Sequence, residues 1–210
     1  EMHGAAKVPH RNREALARMF GRNLSGVHFF EGHVGGGFGV RGELYPEDIL
    51  VAAAAMRLGR PVKWINSRSD SFLSDTHGRG QTSRVQLAID NDGTFRALRT
   101  ETVAGIGAYC WTIGPFTPTG GSARTQGGPY DFPVMYYRSR AVFINTGPMD
   151  PYRGAGRPEA TFQTERIIEY AARQLGHGKA IGAAFANECG GGLQHGIQVL
   201  FGAVLFGLAA

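Results

Sequence analysis

The sequence predicts an α+β fold, mixed β-sheets with packed helices. Three observations point to it: segments of helical spacing at 11–20, 46–59 and 159–175, a period-two hairpin between 83 and 103, and glycine-rich loops separating them.

The first helical segment, Arg11 to Phe20, places Leu16, Met19 and Phe20 on one side and stops at Gly21. Val27 to Phe30 reads as a short strand, followed by Gly35-Gly36-Gly37-Phe38-Gly39, a loop that neither helix nor strand would tolerate cheaply. From Pro46 the pattern is strongly helical, with Glu47 and Asp48 near the positive end, alanines inside and Gly59 at the exit. Its apolar run from Ile49 to Met56 predicts substantial burial. Arg60-Pro61 opens a strand at Val62 to Ile65, so strand, glycine loop, helix and strand form a first unit. Ser67 to Gly80 is polar and mixed. Ser83 to Ile89 then alternates, with Val85, Leu87 and Ile89 inward, Asp90 to Gly93 as the turn and Phe95 to Val103 as partner strand. Gly105 to Asp131 is long for an idle loop, which favours an active-site or packing role. Met135 to Ile144 reads as strand, Asn145 to Pro158 as a second glycine loop, and Glu159 to Leu175 as a helix with Phe162, Ile167, Ile168 and Tyr170 as core candidates. Gly176 to Lys179 breaks that helix. The expected organisation is one domain over 1–176 and an atypical glycine-rich apolar tail over 177–210, truncated or rearranged. No internal repeat is evident.

Composition narrows the class. A chain of 210 residues with 42% hydrophobic and 19% charged residues suits a globular protein and argues against disorder. Its 32 glycines show no three-residue period, so they mark tight turns or backbone brought close to a ligand rather than collagen. Lys plus Arg is 22 against 17 for Asp plus Glu, but no basic run marks a nucleic-acid surface. Cys110 and Cys189 form neither a metal-ligand spacing nor a disulfide framework, which makes a reducing, cytoplasmic compartment the expectation. No signal peptide and no membrane-spanning run are expected.

Two loops could carry chemistry. In Val34-Gly35-Gly36-Gly37-Phe38-Gly39-Val40-Arg41, bare N–H groups precede an acid-capped helix and could grip an oxo or phosphate oxygen. Residues 40–45 intervene before Pro46, which disfavours a dinucleotide fingerprint. A tight turn against a neighbouring strand explains the same glycines equally well. In Tyr152-Arg153-Gly154-Ala155-Gly156-Arg157-Pro158-Glu159, Arg153 could stabilise negative charge developing on a substrate. The alternative is that Arg153 and Arg157 pair with Glu159 or Glu165, the stronger reading for Arg157. His10, His33 and His77 could each act in acid–base chemistry, but no ligand spacing joins them. Cys110, between Tyr109 and Trp111, reads as packing.

The segments GGGFGVR, RSDSFLSDTHGRGQ and PYRGAGRPEA, with Lys7-Val8-Pro9-His10 and the helix after it, resemble the molybdopterin-binding large subunits of the xanthine dehydrogenase, aldehyde oxidase and aerobic carbon monoxide dehydrogenase family. The likeness runs in order from Ala5 to about Gly176, as a partial domain whose C-terminal portion is missing. It implies cofactor contacts at Lys7, Gly36, Gly37, Phe38, Gly39, Arg153, Gly154, Ala155 and Gly156, with Arg153 also catalytic. It implies no protein metal ligand, because the pterin dithiolene holds the molybdenum. The implied cofactor is molybdenum–molybdopterin, with a cytosine dinucleotide form as one candidate. The implied reaction hydroxylates an aldehyde or N-heterocycle with water-derived oxygen. Electrons then pass to 2Fe-2S and FAD groups on an iron–sulfur subunit and an FAD-binding subunit.

The departures are specific. Lys7 stands where the family often has glutamine, and lysine donates but cannot accept. Gly42 stands where xanthine-type members carry an acid, with Glu43 one place later. Gly154 stands where carbon monoxide oxidisers carry the cysteine that bridges copper to molybdenum. No residue matches the family's general-base glutamate. Gly191 to Ile197, with His195 where glutamine is usual, faintly resembles a late cofactor loop. The chain is therefore expected to be incomplete as a catalyst. The rival expectations are a non-catalytic remnant that packs against partner subunits and a nucleotide-binding module built on the glycine loop.

Overall fold

Residues 1–176 and 197–206 are described in the computed structural model; they divide into two units, 1–75 and 76 onward. In the first, β1 (Met2–His3) pairs in parallel with a second two-residue strand, β2 (Phe29–Phe30), and the His3 ring stacks on Phe30 at 4.9 Å. Between them lies α1 (Pro9–Met19), which starts on a proline whose missing N–H would have found no helical partner. It buries Asn12, Leu16 and Ala17. Met19, expected inside, is 59% exposed, and Phe20 is half-buried. Arg13 ties the helix to the following turn, donating to the carbonyls of Val27 (2.7 Å) and Leu24 (2.6 Å).

The second helix, α2 (Pro46–Leu58), follows its sequence signals closely. The Asp48 carboxylate accepts the Tyr45 N–H at 2.9 Å, and Gly59 closes the helix in the left-handed region. Partial desolvation pushes the Asp48 pKa upward against the pull of that N–H. The expected burial of this helix is overturned: none of its residues is buried, and Leu50 is 65% exposed. A helix apolar all round needs neighbours on several faces. The strand expected at 62–65 is also absent: Trp64 and Ile65 are exposed, because a strand needs a ladder partner and none adjoins them among the described residues. A short helix the sequence reading passed over, α3 (Arg68–Ser74), is capped by Ser67, whose Oγ accepts the Asp70 N–H at 3.1 Å.

The second unit is built on a four-stranded sheet. Its centre is the expected hairpin, β3 (Gln81–Asp90) against β4 (Phe95–Gly105), with Val85 opposite Thr100 and Leu87 opposite Leu98. The turn closes with Asp90 N–H to Thr94 O and Gly93 in the left-handed region. Outside β4 runs β5 (Val134–Val142) in parallel, reached by the long segment 106–133; a parallel neighbour requires such a crossover. From there α4 (Arg157–Gln174) leads on, and β6 (Ile197–Phe206), inside the apolar tail, completes the sheet in parallel beside β3. The sheet order is β5-β4-β3-β6, and the α+β expectation holds.

The α4–sheet interface changes character along the helix. Towards its C-terminal end, Ile167, Ile168 and Ala171 meet Val85, Leu87, Ile89, Leu98 and Phe132. Phe95 stacks on Phe132 at 4.9 Å at the margin. Tyr170 and Phe162, both expected in the core, fall outside this buried arc; Tyr170 is 41% exposed and Phe162 half-buried. Towards the N-terminal end the same interface is polar. Gln163 donates to Ser83 Oγ (2.7 Å), which pairs with Thr102 Oγ1 (2.9 Å). Gln126 donates to Thr100 Oγ1 (2.9 Å), and the Gly127 N–H to Thr164 Oγ1 (3.3 Å). The 106–133 segment thus packs, as expected. It is held also by the Tyr137 hydroxyl donating to Pro118 O at 2.6 Å, with burial raising that phenol's pKa.

Leu87→Ala should lower the stability of the second unit by about 2–5 kcal/mol through a poorly filled cavity. Leu50→Ala should change stability by less than about 0.5 kcal/mol, since that side chain is largely exposed. Urea denaturation followed by circular dichroism measures both, and equal losses would contradict the burial described.

Candidate functional site

Each unit presents one glycine loop, and each loop depends on backbone conformations that ordinary residues avoid. In the first unit Gly36, Phe38 and Gly39 have φ of 111°, 50° and 108°. A Cβ on Gly36 would lie 2.5 Å from the Phe38 ring, so the ring folds back over a bare backbone and remains 53% exposed. Lys7 lies against Gly37, where an added Cβ would meet its side chain at 3.4 Å, and its N–H donates to Arg41 O at 2.8 Å. The loop closes on itself through Arg41 N–H to Gly37 O (3.2 Å) and Gly42 N–H to Gly39 O (2.8 Å). The N–H groups of Gly36, Gly37 and Gly39 donate to no protein acceptor among the described residues. The two sequence readings therefore coexist: the glycines make a tight turn, and the turn offers a row of donors. Lys7, Gly36, Gly37, Phe38 and Gly39 are brought together.

In the second unit Gly154, Ala155 and Gly156 are consecutive left-handed residues, at φ 100°, 48° and 92°, immediately before α4. A Cβ on Gly156 would lie 2.3 Å from Thr117 O and 2.8 Å from Ser122 N, both backbone atoms. The buried Ser122 hydroxyl meets Gly156 O at 3.0 Å. Arg153, Gly154 and the Tyr152 side are exposed, whereas Gly156 is buried.

For Arg157, the alternative of pairing with Glu159 or Glu165 is overturned. Glu159 is buried and pairs with Arg79 (Nη1 to Oε1, 3.1 Å; side chains 15% and 3% exposed). Arg157 instead donates to Gly154 O at 3.2 Å, and Glu165 accepts the Tyr130 hydroxyl at 3.0 Å. Residues two apart on a helix point to opposite sides, so Arg157 faces solvent while Glu159 faces the sheet.

Arg79 is the residue holding the second loop that the sequence reading missed. Its Nη2 donates to Arg153 O at 2.5 Å, and its guanidinium lies 5.1 Å from the centre of the Tyr152 ring. Arg79 itself has φ 68°, a left-handed conformation in a residue with a side chain. The flanking glycines let the two segments touch: a Cβ on Gly78 would sit 2.8 Å from Tyr152 Cβ, and one on Gly80 3.2 Å from Met149. Backbone hydrogen bonds from His77 N–H to Pro148 O (3.0 Å) and from Asp150 N–H to His77 O (2.9 Å) complete the seam. Behind it, Gln81, Thr117, Asp150 and Glu159 line a cavity of about 10 Å³, the size of one water. The usable signal was an arginine between two glycines, related to Arg153, which has glycine on one side only.

The remaining candidates do not converge. Among the described residues no group of three or more His, Cys, Asp or Glu side chains could hold a metal ion. His10 lies on exposed α1 surface and His33 in an exposed loop, while His77 contributes through its backbone. Cys110 is exposed rather than packed. Gly191 to Gly196, including His195, lie outside the described residues, as does Cys189.

Residues 1–180 match the family model described as molybdopterin cofactor-binding domain. The chain belongs to that family. It is 35% identical over 173 residues to the 6-hydroxypseudooxynicotine dehydrogenase complex subunit gamma of Paenarthrobacter nicotinovorans, covering 81% of this chain and 21% of that one. To the carbon monoxide dehydrogenase large chain of Hydrogenophaga pseudoflava it is 30% identical over 177 residues, 83% of this chain and 22% of that one. The structure of quinoline 2-oxidoreductase from Pseudomonas putida 86 superposes with a TM-score of 0.76 at 33% identity, over 83% of this chain and 22% of that chain. The chain thus spans about a fifth of the length of the relatives it matches. The resemblance and fold drawn from the sequence are borne out.

Gly156→Ala should cost about 2–5 kcal/mol, a left-handed penalty plus a backbone clash that no side-chain rotation relieves. Gly154→Ala would meet only the Pro158 ring, at 2.5 Å from its Cγ. It should cost less, and the order of the two thermal midpoints tests the packing.

Proposed function

We propose that residues 1–176 are a partial molybdopterin-binding domain, 177–210 an atypical tail, and the chain part of the large subunit of a molybdenum hydroxylase. The observation that carries this reading is the family match over 1–180, a range that contains both glycine loops. The loops fit such a cofactor on their own chemistry: N–H donors at Gly36, Gly37 and Gly39 that meet no protein acceptor among the described residues, and bare, exposed backbone at Gly154.

When bound, the molybdenum–molybdopterin group, in whichever nucleotide form, supplies the oxygen-transfer and two-electron chemistry. The chain's residues bind and shape. The Gly36, Gly37 and Gly39 amides donate to cofactor oxygens, the Lys7 ammonium adds a donor with a positive charge, and the Phe38 ring shields one side from water. Gly154, Ala155 and Gly156 allow close backbone approach. Arg153 holds the negative charge that develops on the substrate, the one catalytic role assigned within this chain. Relatives named for quinoline and for a nicotine derivative favour an N-heterocycle over an aldehyde as substrate. Gly154 cannot ligate copper, which disfavours carbon monoxide. The partners of this reading are an iron–sulfur (2Fe-2S) subunit and an FAD-binding subunit in the cytoplasm. Among the described residues no helix is long and apolar enough to cross a membrane.

Metal and pterin analysis of the chain co-purified with such partners tests the reading. Stoichiometric molybdenum and pterin are expected, and their absence from folded protein would leave a structural remnant. Binding of a free nucleotide without molybdenum would instead favour a nucleotide module. In a loaded, active assembly, Arg153→Lys should lower kcat by about 10²–10³-fold at unchanged cofactor content, the usual effect of losing one charge-stabilising donor.

A further inference from the structure

We propose that Arg79 is a positioning residue for Arg153: one guanidinium fixes both ends of the 153–157 loop and so sets how Arg153 is presented. This rests on the role given to Arg153 above and extends it to a residue some seventy positions earlier in the chain.

The geometry is a three-point clamp. Arg79 donates to Arg153 O (2.5 Å) at the start of the loop, pairs with Glu159 (3.1 Å) in the first turn of α4, and stacks on Tyr152 (5.1 Å) just before it. Between these anchors stand Gly154, Ala155 and Gly156, each in the left-handed region. Turn hydrogen bonds from Ala155 N–H to Tyr152 O (2.8 Å) and from Arg157 N–H to Gly154 O (3.2 Å) shape the stretch, but its two glycines leave other conformations open. Contacts from outside the loop complete the selection: Ser122 meets Gly156 O, and Arg79 reaches both flanks. A planar fork with a flat face can serve two acceptors and a ring together, whereas an ammonium offers a point charge. Arg79 also holds a left-handed backbone despite carrying a Cβ, a strain that persists only where the surroundings enforce it. The His77–Met149 seam and the close fit of Gly78 and Gly80 supply that enforcement.

A merely structural ion pair would explain the Glu159 contact but not the Arg153 carbonyl or the stacked Tyr152. The two roles separate in a pair of variants. Arg79→Met alone strands a buried carboxylate and should destabilise the fold. Arg79→Met with Glu159→Met removes both charges and should recover the thermal midpoint, since replacing a whole buried pair by apolar groups is tolerated. The proposal expects the amides of 153–157 in that double variant to exchange hydrogen about tenfold or more faster than in the parent chain, the effect of losing one charge-assisted hydrogen bond. Core amides of β3 and β4 should be unchanged.

Hydrogen-exchange mass spectrometry of the full chain reads this without cofactor. Loop protection restored along with the midpoint would overturn the proposal, and so would Arg79→Lys retaining parental loop exchange. Molybdenum measured on the parent chain in parallel tests the functional reading separately. A fast-exchanging loop in a chain that never binds the cofactor would uphold the clamp and sink that reading.

Discussion

The second unit turns on one constraint, the buried carboxylate of Glu159. Placed two residues into α4, it faces the sheet and is 2% exposed, where an uncompensated charge could not stay. Its counter-ion comes from Arg79, in the segment leading into β3. Everything near the second glycine loop follows from meeting that demand. The 77–80 segment must lie along 148–153, which requires glycine on both sides of Arg79. The helix must start where its first turn reaches the guanidinium, which places Gly156 against the Thr117 carbonyl. The contact is an ion pair off the axis of an aligned hydrogen bond, so Arg79 Nη1 lacks a hydrogen-bond partner, as do Glu159 Oε2, Thr117 Oγ1 and Gln81 Nε2 among the described residues. A single water in the small cavity they line would satisfy them in the ordinary way.

The change of character along α4 has a consistent physical logic. Aliphatic contacts at Ile167, Ile168 and Ala171 are non-directional and supply most of the burial energy. The contacts among Gln163, Ser83, Thr102, Gln126, Thr100 and Thr164 fail if the helix slides or rotates, because each buried donor needs its acceptor. The apolar end holds the helix down and the polar end fixes its register. The fixed end is the one that carries the loop, so a helix held only by aliphatic packing would present Arg153 less reproducibly.

Much of this was legible in the sequence, and the failures share a cause. The β3–β4 hairpin and helices α2 and α4 rest on local signals: alternation, a starting proline, first-turn acids, a terminal glycine. Those signals located the elements to within a few residues. What failed needed a partner elsewhere in the chain. Residues 62–65 have strand composition and no ladder. Helix α2 has a core composition but no core around it among the described residues, and it was read as buried because composition alone cannot supply the neighbour. The Glu159 ion pair was assigned to Arg157 by proximity in sequence, although helix geometry turns those two apart. Ser67 and Asp70 carried a legible capping signal that was passed over. Arg79 lay within a recognised motif, yet its acceptors are seventy-four and eighty residues away, beyond any local rule.

The same distinction explains why the glycine loops stood out and their supports did not. A ligand approached through backbone amides constrains conformation rather than side-chain chemistry, and a left-handed conformation is written into sequence as glycine. Gly36, Gly39, Gly154 and Gly156 are visible because each holds a left-handed conformation. Conformational permission is not conformational choice, however, since glycine opens the required region without closing the others. Local turn hydrogen bonds make part of the choice, and side chains distant in sequence make the rest: Lys7 lying along Gly37, Ser122 against Gly156, and Arg79 spanning the flanks of 153–157. Each is an ordinary residue whose contribution appears only when the chain is folded. A site built on backbone contacts therefore advertises its loops and conceals what orders them, and the ordering residues are where loss of function without loss of motif should be sought.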